Sequence, residues 1–288
     1  MPRHPFIAFS ALAAGLPALA SAQPIAADDS RLVGFATSVA EFSPSTPDSL
    51  SAEVSSPSAA LGAPDSGDTG APDFLPVGLV SLGDAPAGTA SGSITLGFDQ
   101  AITNGAGADF AIFENASDFT SFGSGIFAEL AFVEVSTDGN TFARFATSSL
   151  TTFPDPSGNA LDTDLQLDFS GNQDFATLPS RSLVSGFAGA DPAFNGTLFD
   201  LSALSSAVEV LAGAVDLDLI NFVRLVDIVG DGRTTDSNGN PIFDAFSPNN
   251  ATGGFDLDAV GVLNAVPEPT TAALLSLAGL SLLRRRRA

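Results

Sequence analysis

The chain has 288 residues, with 33 acidic side chains, ten arginines, no lysine, cysteine, tryptophan or tyrosine, and its single histidine and methionine at positions 4 and 1. Between the two ends, residues 23–265 hold 32 of the acids (all but Glu268) and five arginines, Arg31, Arg144, Arg181, Arg224 and Arg233, for a balance of −27. That segment cannot build a Ser-His-Asp or Cys-His centre, a Schiff-base lysine or a His/Cys zinc site, and it argues against nucleic acid as a partner, because phosphate binding needs clustered Lys or Arg.

Residues 1–22 read as a secretory signal. Arg3 and His4 give a positive start, an apolar run rich in Ala and Leu follows, and Ala20-Ser21-Ala22 is a small-x-small cleavage site that leaves Gln23 as the new N-terminus. Residues 23–265 are then expected to form one domain. An exported domain is free to use disulfides. Without cysteine this one must be held by its core, with bound cations as the available supplement; about 240 residues can bury enough apolar area for that.

Short strands are expected in chain order. The first lies in 32–39. In 93–98, Ile94, Leu96 and Phe98 alternate with small residues, which is the period of a half-buried strand. The runs 110–113 and 130–135 follow, and Asp138-Gly139 is a turn pair that joins the second run to 142–145 as a hairpin. Further strands are read at 222–228 and 255–263. Helix signals are few: 201–207, behind a cap at Asp200, accounts for one or two turns. The expected class is all-β, a single antiparallel β-sandwich with few short helical turns.

Carboxylates and amides are the chemistry that remains. Calcium takes six to eight hard oxygen ligands on a turning backbone. The region 227–258 offers Asp227 and Asp231, then Asp236, Asn238 and Asn240 at alternate positions around Gly239, then Asp244, Asp256 and Asp258. These eight residues are the expected Ca2+ ligands. The EF-hand spacing is absent, and an ion-free Asx-rich turn is the alternative. Asp109, Glu114 and Asn115 bracket the 110–113 strand and form a possible ligand site or second metal site, with Glu129 and Glu134 across the hairpin region. The 24 phenylalanines are most simply core filling.

The last part of the chain reads Val266-Pro267-Glu268-Pro269, then an apolar stretch over 271–283, then Arg284, Arg285, Arg286 and Arg287. This order resembles the PEP-CTERM sorting signal of Gram-negative bacteria. The resemblance implies a hydrophobic helix held transiently in the inner membrane, with its arginines on the cytoplasmic side. It also implies recognition by an exosortase-type enzyme, cleavage near Pro-Glu-Pro and release to the cell surface or extracellular matrix. The elements Ala60-Leu61-Gly62-Ala63-Pro64-Asp65, Ala131-Phe132-Val133-Glu134-Val135-Ser136-Thr137-Asp138-Gly139 and 227–263 are similar to exported proteins with galactose-binding-like (discoidin-like) jelly rolls. The expected function is a non-enzymatic surface protein, stabilised by calcium and contacting extracellular polysaccharide. The alternatives are a carboxylate-based glycan-active enzyme and a purely structural coat component.

Overall fold

The computed structural model describes residues 23–45, 55–64, 78–83, 90–114, 117–118, 126–151, 180–191, 195–243 and 254–267. The signal segment, Asn115, Asp244 and the tail from Glu268 to the arginine cluster lie outside the described residues.

The regular secondary structure of the described residues is almost entirely β. Its strands are β1 (Gly34–Phe35), β2 (Ser38–Ser43), β3 (Val80–Ser81), β4 (Ser93–Ile102), β5 (Phe110–Glu114), β6 (Ser117–Asp118), β7 (Ile126–Phe127) and β8 (Ala131–Ser136) in the first half. The second half adds β9 (Ala143–Arg144), β10 (Ser148–Ser149), β11 (Val184–Ser185), β12 (Thr197–Phe199), β13 (Ile220–Asp227), β14 (Asp231–Thr235), β15 (Pro241–Phe243) and β16 (Asp256–Val262). A four-residue helix, α1 (Val208–Leu211), follows a 3₁₀ turn at Leu201–Leu204. Among the described residues no helix is long and apolar enough to cross a membrane.

Two five-stranded sheets dominate. One runs β1-β16-β5-β12, with β3 also paired to β16; the other runs β2-β4-β13-β8-β9. Every pairing is antiparallel, as expected for the all-β class. The alternation in the sequence explains how the sheets meet. Ile94 and Leu96 of β4, Val133 and Val135 of β8, and Val223 and Leu225 of β13 share one core with Phe110 and Ile112 of β5 and Val260 and Val262 of β16. Their odd or even partners leave on the other face. On the far side of the β5 sheet, Ala111, Phe113 and Ala259 are covered by Ile25 and Leu32, so β5 and β16 are buried on both faces and read as continuous apolar runs.

Several expectations change in detail. The strand expected in 32–39 is two strands in different sheets. β1 pairs β16 and β2 pairs β4, with the chain crossing at buried Ala36 and at Thr37. The 130–145 hairpin forms as β8–β9, with Glu134 opposite Arg144 and Val135 opposite Ala143. Its loop is tied by Asp138, which accepts from the Asn140 and Thr141 amides at 2.8 Å, beside Gly139 at φ +75°. The helix expected over 201–207 is only the 3₁₀ turn, capped by Asp200 as read. Ala207 then takes an extended conformation, and the α-helical turn begins after it.

Phenylalanines fill the core. Phe110 stacks on Phe199 at 5.3 Å, and Phe145 meets Phe199 edge-on at 5.0 Å. Truncating a buried Phe removes its transfer energy and leaves a cavity. Phe110→Ala is therefore expected to lower the unfolding free energy by about 3–5 kcal/mol, measured by urea denaturation; a loss under about 1 kcal/mol would mean that this core is not the one described.

Candidate metal centre

The residues expected to bind calcium fall in three places. Asp236, Asn238 and Asn240 sit on the turn between β14 and β15, and the turn is organised by the first of them. Asp236 Oδ1 accepts from the backbone amides of Asn238 and Asn240, each at 2.8 Å. Its Oδ2 accepts from Ser149 N at 2.8 Å and from Asn240 Nδ2 at 3.0 Å. Four donors fill the acceptor sites of one carboxylate. The Asx alternation that suggested an ion is spent on closing a β-hairpin and docking it on β10, while Asn238 and Asn240 are exposed. Burial alone would raise the Asp236 carboxyl, but the donors from Ser149, Asn240 and Asn238 outweigh it and hold it at about 2. Asp231 opens β14 opposite Phe243.

Asp109 occupies a second place. Its Oδ1 accepts from Gly105 N at 2.7 Å and Asn264 Nδ2 at 2.9 Å, and its Oδ2 from Leu201 N at 2.8 Å. It is fully buried and joins the β4–β5 loop, the 3₁₀ turn and the segment leaving β16. Asp109 and Glu114 do not form one constellation. They stand at opposite ends of β5, about 16 Å apart at the rise of an extended strand.

The third place is the Glu114 end of that strand. Glu114 is registered with Leu257, which Asp256 and Asp258 flank, and a bulge follows between Leu257 and Ala259. Asp227 comes from the other sheet, as the last residue of its central strand β13. Phe255 N, at the entry to β16, donates to Asp227 Oδ1 at 2.9 Å. Asp227, Asp256, Asp258 and Glu114 are only 1%, 5%, 2% and 2% exposed. Asp227 Oδ2 is buried and accepts no hydrogen bond. Burial pushes the Asp227 carboxyl up to about 7, and the Asp256 charge pushes the same way, against hydrogen bonds from the Phe255 and Ile228 amides. Residues far apart in the sequence, and placed in two separate candidate sites there, thus stand on strand ends at one end of the molecule, with Asp256 beside Asp227. Among the described residues, no group of three or more His, Cys, Asp or Glu side chains is gathered as a ready metal cage.

Two charge clusters escaped the sequence reading. Glu134, expected only as an extra carboxylate, lies between two arginines: Arg144 Nε donates to its Oε1 at 2.7 Å, and Arg224 Nε donates to its Oε2. Arg144 lies over the Phe132 ring at 4.3 Å and Arg224 over the Phe142 ring at 3.7 Å. Buried Asp191 pairs with Arg181 through both carboxylate oxygens. The spacing of Arg144 from Glu134 across a two-strand hairpin could have signalled the first; nothing in the sequence singles out the second.

No protein-family model matches the chain, and no significant match is found among curated proteins.

Asp227 and Asp236 act on stability in opposite directions. Asp227, raised from 3.8 to about 7, holds its proton more tightly when folded; its contribution is complete below about pH 4 and is lost as pH rises through 7. Asp236, lowered from 3.8 to about 2, contributes above about pH 4 and loses that contribution as pH falls toward 2. In EDTA the melting temperature should therefore fall on the alkaline side between pH 4 and 7, and Asp227→Asn should reduce that fall. An unchanged alkaline limb in the variant would show that Asp227 does not titrate there.

Proposed function

We propose that this chain is an exported, non-enzymatic protein of the bacterial surface or extracellular matrix, built as a galactose-binding-like jelly-roll sandwich and stabilised by calcium. Its ends serve delivery: the 1–22 signal directs export, and the PEP-CTERM-like tail over 266–288 holds the chain in the inner membrane until an exosortase-type enzyme cuts it. Ala265 bridges to Ile102 and Val266 N donates to Ala101 O at 2.9 Å. That last contact falls immediately before Pro267, which supports a domain ending where the sorting motif begins.

The observation that carries the non-enzymatic reading is how the acids are used. Asp109, Asp138, Asp236 and Asp191 hold backbone amides or an arginine, and Glu134 holds two arginines. They are framework. The rival reading, carboxylate-based glycan hydrolysis, draws on Asp227 and Asp256, because a carboxyl raised to about 7 beside a second carboxylate is the pattern of an acid–base pair. Both are almost fully buried. A glycosidic bond must lie between its two carboxyls, and no sugar reaches a pair enclosed in this way, whereas a cation is small enough to be held inside. In this reading, contact with extracellular polysaccharide belongs to the exposed surface and not to this pair. A purely structural coat component remains the alternative to polysaccharide contact, and a glycan array probed with and without calcium separates the two.

Delivery is tested by mass spectrometry of the protein from the surface fraction. The expected species begins at Gln23 and lacks Arg284 to Arg287. Deleting the four arginines should leave the chain unsorted in the cell envelope. A surface species that keeps the intact tail would overturn the sorting proposal.

A further inference from the structure

We infer that Asp227 and Asp256 hold one calcium ion between the two sheets and so close the end of the fold at which β13 and β16 meet. This rests on the calcium reading above and gives it a place.

The main chain shows what that end has to join. Phe255 O accepts from Leu82 N at 2.9 Å, and Leu82 O accepts from Ser45 N at 3.0 Å, which leads from β16 through β3 to the end of β2 in the opposite sheet. Asp227 N donates to Gly92 O at 2.9 Å, just before β4. A Cβ on Gly92 would lie 1.9 Å from Leu82 O, so the two sheets approach at backbone contact here. Into this closed corner the chain places Asp227, with one oxygen on the Phe255 amide and the other buried with no donor. A buried carboxylate oxygen left without a donor costs more than most native structures tolerate, and such an atom calls for an ion or a proton.

A proton alone is a poor answer at this place. Asp256 is near enough to repel Asp227, and Asp258 and Glu114 are buried on the strands around it. A single divalent cation between Asp227 and Asp256 would offset both charges, which a proton on one of them does not. The opposite end of the molecule shows the contrast: Asp109 makes the equivalent junction between loop, 3₁₀ turn and strand exit, and both of its oxygens are filled by protein donors. Calcium is the fitting cation. It accepts carboxylates, backbone carbonyls and water in irregular geometry, so two carboxylates can begin a site that carbonyls and water complete, whereas magnesium demands near-octahedral order. That no three carboxylates are gathered among the described residues is compatible with such a mixed shell.

The test compares the purified full chain with Asp227→Asn, Asp256→Asn and, as a control, Asp236→Asn, each melted at pH 8 in EDTA, in calcium and in magnesium, with calorimetric titration of calcium. In the unaltered protein, calcium at about 100 times its Kd is expected to raise Tm by about 5–10 °C, with one ion per chain and a much smaller response to magnesium. Asp227→Asn and Asp256→Asn should lose that rise. In EDTA, Asp227→Asn should melt no lower than the unaltered protein, because the amide replaces a repelled buried charge. A residue with only a structural role would lower Tm with and without calcium alike. Asp236→Asn should melt lower in both and keep the calcium increment. An unaltered protein that ignores calcium overturns the calcium reading and the site together. A full increment that survives in Asp227→Asn and Asp256→Asn overturns this site and leaves the calcium reading standing. An equal response to magnesium overturns the assignment of the metal.

Discussion

Two sheets that share one apolar core must still be joined at their ends, and in this chain buried carboxylates do the joining. The faces meet through alternating Ile, Leu, Val and Phe, which is non-directional packing and does not by itself fix how the strand ends close. Closure falls to directional acceptors. Asp109 collects three donors at one end. Asp227 reaches from the central strand of one sheet to the amide that opens β16 in the other. The close approach of Gly92 to Leu82 follows from the same demand, because a side chain there would hold the sheets apart.

This demand also explains how a segment with a balance of −27 can bury so many acids. Burying a charge is costly unless it is paired or hydrogen-bonded. Asp236 meets the cost with four donors, Glu134 with two arginines and Asp191 with one. Asp227 has one oxygen on the Phe255 amide and the other buried without a hydrogen bond, and it sits beside Asp256.

The proposed non-enzymatic role draws on the framework use of the carboxylates and on the enclosure of the Asp227–Asp256 pair. Asp109 and Asp236 hold amides, and Glu134 and Asp191 hold arginines. A role in binding would then belong to loops and exposed faces, and the interior would serve only to keep those loops in place.

Much of the β-structure could be read in advance. The alternation of Ile94 with Leu96 and of Val133 with Val135 reports a face directly, and the cap at Asp200 and the turn at Asp138-Gly139 are local events between neighbours. Strands of two or three residues, such as β3, β10 and β12, carry too few positions to show a period. The passage from β1 to β2 within a single apolar-looking run is decided by which sheet each half pairs with. The acidic loop over 236–240 showed its residues but not their use, because the same alternate Asp and Asn can wrap an ion or a backbone turn, and only the position of the amides decides. Residue types alone determined that His, Cys and Lys chemistry is excluded from the segment and that its charge is extreme. Only the tertiary structure decided that Asp109 and Glu114 part company and that Asp227 comes to lie beside Asp256, because antiparallel pairing sends the ends of one short strand to opposite ends of the fold and the two sheets close on each other at the entry to β16.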